Sequence, residues 1–255
     1  MKKRIITLIA LAGAIAAFSD PIYTVVYSNG FSGTEFKVDG VSAASTNNVS
    51  TATKPGYLVT TLSTANASGF FVSIDGLGIA ADPDMLGVRL TISGITPTAG
   101  AGNWLGFGMA SGTANFNFNL FANPGVVVRE NGSITVAGGI DGIDNGMGIA
   151  TNQIFNSANG YTTASSPFTM TLECYKDGTI SFWFDDIKIL TNAPSGNATL
   201  NMERAMIAFR TLDPSTTTAA VDWFTIETIA VPEAATALFF AIGSIGVFVA
   251  RRYIY

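Results

Sequence analysis

Apolar and polar residues alternate along most of this chain with a period of two, the repeat of a strand whose two faces meet different surroundings. The clearest case is Phe168 to Tyr175. Phe168, Met170, Leu172 and Cys174 fall on one face, and Thr169, Thr171, Glu173 and Tyr175 on the other. Thr179 to Phe184 repeats the pattern, with Ile180, Phe182 and Phe184 opposed to Ser181 and Trp183. Alternation or β-rich composition predicts further strands at Tyr57 to Leu62, Phe70 to Ile74, Gly87 to Ser93, Trp104 to Met109, Phe116 to Leu120, Val126 to Arg129 and Ser133 to Val136. More follow at Ile187 to Leu190, Ala205 to Arg210 and Val221 to Thr228. Asp177-Gly178 and Asn131-Gly132 carry hairpin-turn chemistry between neighbouring runs. The small residues from Gly40 to Lys54 predict a surface loop, and no stretch keeps a helical period long enough for a core helix. A dozen short strands in one unit predict an all-β fold, a two-sheet antiparallel β-sandwich.

Both ends depart from that pattern. Residues 1–19 open with Lys2, Lys3 and Arg4 and continue through uncharged, mostly apolar residues from Ile5 to Phe18. As a helix this run is about 21 Å long, short of a hydrocarbon core of about 30 Å, so it predicts a cleaved secretory signal peptide. Ala14-Ile15-Ala16 and Ala17-Phe18-Ser19 are alternative cleavage segments. At the other end, Ala234 to Ala250 carries no charge, with Glu233 before it and Arg251 and Arg252 after it. That run is about 25 Å long as a helix and predicts a membrane anchor whose basic end stays on the cytoplasmic side. The expected organisation is therefore a signal peptide at 1–19, a β-sandwich at 20–230 and an anchor at 231–255.

The C-terminal segment Val231-Pro232-Glu233-Ala234, followed by the apolar run and Arg251-Arg252, resembles the PEP-CTERM sorting signal of Gram-negative bacteria. The family motif reads Pro-Glu-Pro, and this chain has Ala234 in the third place. The resemblance implies export, an exosortase-like membrane protease as partner, and residence in the cell envelope or, after processing, outside the cell.

Composition narrows the chemistry. Charged residues make up only 12% of the 255, against 48% hydrophobic, so Ser, Thr, Asn and Gly must supply much of the polar surface. There is no histidine, which excludes triads with a His base and His-ligated metal sites. Residues 20–230 hold eight basic and seventeen acidic residues, a net charge of −9, which argues against a nucleic-acid partner. The lone Cys174 cannot form an internal disulfide and lies on an apolar strand face, so it is expected in the core. Asn48, Asn66, Asn131 and Asn197 each begin an Asn-x-Ser/Thr triplet, attributed to chance in so Asn-, Ser- and Thr-rich a chain.

Phe31-Ser32-Gly33, Asn103 to Gly108, the Tyr175-Lys176-Asp177-Gly178 hairpin and Val221 to Ile226 together resemble, in pattern and order, the concanavalin A-like, LamG-like jelly roll. That resemblance implies carbohydrate binding or adhesive contacts, and in some members glycan hydrolysis. Hydrolysis would need two carboxylates flanking the scissile bond. Glu130, Glu173, Asp185 and Asp222 are the candidates, but the Glu-x-Asp-x-x-Glu strand motif of laminarinase-like members is absent. Asp141, Asp144 and Asn145 in a Gly-bent segment offer hard oxygen ligands, a calcium candidate without EF-hand spacing, set against a plain surface turn. No other cofactor is expected. Trp183, Trp104 and Trp223 are the candidates for stacking on a sugar ring. Trp183 is the best placed, since its strand neighbours turn inward, whereas the alternation around Trp223 leaves its side undecided. The expected function is that of an exported, non-catalytic β-sandwich that binds glycan or exopolysaccharide in the envelope. The alternatives are a glycan-cleaving enzyme and a purely structural envelope protein.

Overall fold

Alternating runs become paired strands where turn residues fold the chain back on itself. In the computed structural model the description covers residues 20–31, 44–47, 49–50, 56–60, 66–74, 77, 84–95, 104–110, 124–129, 134–138, 167–194, 203–211 and 220–231. These residues contain β1 (Ile22–Asn29), β2 (Ala44–Asn47), β3 (Val49–Ser50), β4 (Val59–Thr60), β5 (Asn66–Ser73), β6 (Met85–Ile95) and β7 (Trp104–Ala110). They continue with β8 (Pro124–Arg129), β9 (Ile134–Gly138), β10 (Phe168–Tyr175), β11 (Thr179–Phe184), β12 (Ile187–Pro194), β13 (Arg204–Thr211) and β14 (Trp223–Ala230). Strands β10 and β11 have the bounds their alternation predicts. At their turn, Gly178 takes a φ of +82° and donates its N–H to the Tyr175 carbonyl, while Asp177 Oδ1 accepts the Thr179 N–H. Only a residue at ease in the left-handed region closes so short a loop without strain.

Two six-stranded sheets result. The first has the order β1-β14-β6-β10-β11-β12, the second β2-β5-β13-β7-β8-β9, and every pairing is antiparallel. Their inward faces make one core. Leu90, Ile92, Leu172, Cys174, Phe182, Phe224 and Ile226 come from the first sheet, and Phe70, Val72, Leu105, Phe107, Val126 and Ile207 from the second. Phe70 links the layers, with ring centroids 6.0 Å from Phe224, 6.1 Å from Tyr27 and 5.6 Å from Phe31. Aromatic pairs in such tilted and edge-on arrangements gain about 0.5–1.5 kcal/mol beyond the area they bury.

Several sequence expectations need correction. The stretch 40–54 is not all loop, because Ala44–Asn47 pairs with β5 and Val49–Ser50 with β4. Of the run predicted from Tyr57 to Leu62, residues 61 and 62 lie outside the described residues. Leu58 makes only an isolated bridge to Val221, and the strand is Val59–Thr60. Strand β1 is an addition, a sheet edge with Ile22, Tyr23 and Val25 exposed, so its residues show no inward apolar stripe. The predicted strand at 116–120, the turn at Asn131-Gly132 and both terminal segments, Pro232 onward included, lie outside the described residues. Among the described residues no helix is long and apolar enough to cross a membrane.

Candidate functional site

The face of the first sheet turned away from the core carries the polar half of each alternating strand. Register aligns these residues in rows across the sheet. Glu227 on β14 pairs with Arg89 on β6, Arg89 with Glu173 on β10, and Glu173 with Ser181 on β11. The adjacent row runs Thr225, Thr91, Thr171, Trp183 and then Lys188 on β12. Lys188 reaches its place through a bulge, because Phe182 pairs with Leu190 but Trp183 with Lys188, leaving Ile189 unpaired between them. A bulge of this kind re-aims side chains.

Glu173 is the surprise of this face. Alternation places it on the polar side, yet it is only 1% exposed. Tyr23 and Tyr175 close over it, their hydroxyls donating to its two carboxylate oxygens at 2.9 and 2.6 Å. Arg89 Nε lies 3.7 Å from Glu173 and 3.8 Å from Glu227, and the guanidinium sits 4.5 Å from the centre of the Tyr23 ring. Tyr23 reaches across from β1, its row running through Ile229 and Gly87 to Tyr175, and at Gly87 the backbones of β6 and β10 come unusually close. A Cβ there would come within 2.3 Å of the Cys174 carbonyl oxygen. Burial, reinforced by the Glu173 carboxylate, pushes the Tyr23 hydroxyl up to about 12 and the Tyr175 hydroxyl up as well. Glu173 is thus a hydrogen-bonded anchor of the face, without an open carboxylate for proton transfer. Two carboxylates do converge here, with Arg89 between them.

The tryptophans separate. Trp183 is half-buried, with Lys188 Nζ 4.5 Å and Arg89 Cζ 5.7 Å from its ring centre. Trp223, whose side the sequence left undecided, is the open one at 44% exposure. Its indole N–H donates to Thr225 Oγ1 at 2.8 Å, and its ring lies against Gly30, where any Cβ would collide with it. Trp183 and Trp223 share one face, about 16 Å apart by three strand spacings across the sheet and two residues along it. Between them Thr91, Ser93 and Thr225 present hydroxyls on the face, above the buried Thr171 whose oxygen lies 3.1 Å from that of Thr91. Trp104 belongs to the second sheet. Leu105, Phe107 and Met109 are core residues, which turns Trp104 to that sheet's outer side, on the far side of the sandwich.

The remaining candidates have other roles or fall outside. Asp185, at a φ of 50°, starts the β11–β12 turn and accepts the Thr169 N–H at 2.9 Å. Asp222 packs against Gly94 and donates its N–H to the Ser93 carbonyl. Cys174 is fully buried, and burial pushes its thiol up. Glu130, Asp141, Asp144 and Asn145 lie outside the described residues, as do Pro232, Glu233, Ala234, Arg251 and Arg252. Among the described residues no cluster of acidic and cysteine side chains could hold a metal ion. Arg89, Tyr23, Tyr175, Lys188 and Glu227 were missed. Alternation along β6, β10 and β14 places Arg89, Tyr175 and Glu227 on the outer face but does not show which strands bring them together, and neither the edge strand that carries Tyr23 nor the bulge that places Lys188 leaves such a pattern.

This two-sheet arrangement is similar to the sandwich of solved lectin-type carbohydrate recognition domains. The potassium-bound carbohydrate recognition domain of Emp46p aligns with a TM-score of 0.53 at 12% identity, covering 80% of this chain and 98% of that one. Its metal-free form gives 0.51 at 13% identity, over 80% and 97%. At these identities the likeness establishes the fold alone. No family model and no curated protein matches the chain.

Proposed function

We propose that this protein is an exported, membrane-anchored, non-catalytic glycan-binding module whose ligand lies on the outer face of the first sheet. The observation that carries this reading is the pairing of Trp223, exposed, with Trp183 across a floor of threonine and serine hydroxyls. The open Trp223 indole offers apolar stacking area to a sugar face, and Trp183 with Lys188 over its ring and the hydroxyls between the two offer polar contacts to its rim. The lectin-type fold agrees with that role. Signal peptide, sorting by an exosortase-like protease, and anchoring follow from the terminal sequences, and an exopolysaccharide of the envelope is the partner they favour.

Binding rather than cleavage is supported by the state of the carboxylates. Glu173 is sealed beneath two tyrosines, and Arg89 stands between it and Glu227. A hydrolase needs an acid and a base or nucleophile free to reach the glycosidic bond. The test is a glycan-array screen of residues 20–230 with calcium and with chelator, read for retention and for release of reducing ends. Retention without new reducing ends is expected. Release would install the hydrolase reading, silence on all glycans would favour a structural envelope protein, and retention only with calcium would turn attention to Asp141, Asp144 and Asn145.

A further inference from the structure

We infer that the end of the first sheet formed by Ile22, Leu86 and Val231 is a lipid-facing surface that seats in the headgroup boundary of a bilayer. The inference rests on the reading of Ala234 to Ala250 as a membrane span. Strands β1 and β14 are antiparallel, and Ile22 pairs with Ala230. The apolar run that follows the body therefore leaves from the end of the sheet at which β1 also begins. Val231 is separated from Ala234 by Pro232 and Glu233 alone, so the body can stand no more than about 10 Å from the start of the span. A tether that short brings this end, and no other, to the membrane.

The side chains at this end suit that position. Ile22 is 43% exposed, Leu86 39% and Val231 42%, with the partly open Tyr23 beside them. Leu86 is placed by a bulge: Ile229 pairs with Gly87 and Ala230 with Met85, which leaves Leu86 outside the β14–β6 ladder. Its carbonyl is held by the Lys176 N–H at 2.8 Å, fixing the turn of β10 against the same end. Interfacial apolar groups of this kind sink about 5–10 Å into the headgroup and acyl boundary, within reach of so short a tether. Exposed charges near them are Asp20, Asp84 and Asp177 against Lys176, an acidic balance. Attraction to anionic lipid therefore contributes nothing, and the contact should be apolar and insensitive to salt.

The test uses the full chain reconstituted in phosphatidylcholine vesicles, with Ile22→Cys, Leu86→Cys and, as a control at the opposite end of the sheet, Ile187→Cys. Each variant is labelled with an environment-sensitive fluorophore, and Cys174 stays unlabelled because it is sealed in the core. Two independent positions guard against one label disturbing the fold. With lipids carrying a shallow spin-label quencher, quenching at Ile22→Cys and Leu86→Cys is expected to be about threefold or more stronger than at Ile187→Cys, at low and high salt alike. Vesicle-bound protein with equal quenching at all three positions would overturn the inference and leave the anchor standing. Labels at Ile22→Cys and Leu86→Cys shielded from aqueous iodide but not quenched by lipid would assign the surface to a protein partner instead, which also overturns it. Protein that fails to float with the vesicles would overturn the anchor reading and the inference with it.

Discussion

Glu173 and the two hydroxyls above it set the chemistry of the outer face. A buried carboxylate holding two O–H donors and one cation loses charge-assisted bonds when it becomes an amide. Glu173→Gln is expected to lower unfolding free energy by about 1.5–3 kcal/mol in denaturant titration, with glycan retention reduced only as far as folding is lost. The tyrosines add a pH dependence. Tyr23 and Tyr27 sit at about 12 in the folded chain, raised first by burial, against the ordinary value of 10.0. Above pH 10 the unfolded chain gives up these protons before the folded one does, so stability is complete below about pH 10 and falls as pH rises toward 12. Alkaline melts should show that loss, and Tyr23→Phe should make it shallower. At the binding face, Trp223→Ala is expected to weaken retention by about 1–3 kcal/mol, by analogy with aromatic stacking on planar rings. Because Trp223 is exposed, its melting temperature should hardly move, whereas a large fall would make Trp223 a structural residue.

Strands supply the next level, and Gly87 on β6 shows how an element makes a site possible. Its missing side chain lets β6 approach the backbone of β10, the strand that carries both Glu173 and Tyr175. Gly87→Ala places a Cβ against the Cys174 carbonyl, which no rotamer change relieves, and about 1–3 kcal/mol of stability should be lost in chemical unfolding. The β10–β11 hairpin was readable to the residue because alternation and Asp177-Gly178 specify it locally. Strand β12 was readable only in part. Its start at Ile187 followed from the pattern, but the two register shifts opposite Ser181 and Trp183 did not, and one of them sets Lys188 against the indole. Strand β1 was not readable, because an edge strand with outward apolar residues lacks the inward stripe that marks a core strand. On the core side, Cys174 should resist thiol reagents until the chain unfolds, and the melt should be the same with and without reductant.

Taken whole, the molecule has two ends. The chain enters and leaves the first sheet at Ile22 and Ala230, while Trp223 lies at the other end of β14, about 23 Å away by strand rise. An anchored body would thus hold its open tryptophan away from the bilayer, where extracellular polymer is within reach. Deleting residues 231–255 is expected to release the body into the medium with its glycan retention intact; continued cell association would argue against the anchor. Facing is a local property, set by the two-residue period of a strand, so the chain by itself determined which side of β10 and β11 is core and where the Asp177-Gly178 turn falls. Pairing is not local. Tyr23 and Glu173 are 150 residues apart, and what joins them is the combined packing of two sheets that selects one register among many with the same alternation. Only the tertiary structure could decide that Glu173 is covered, that Arg89 lies between two carboxylates, and that Trp223 is the tryptophan left open to solvent.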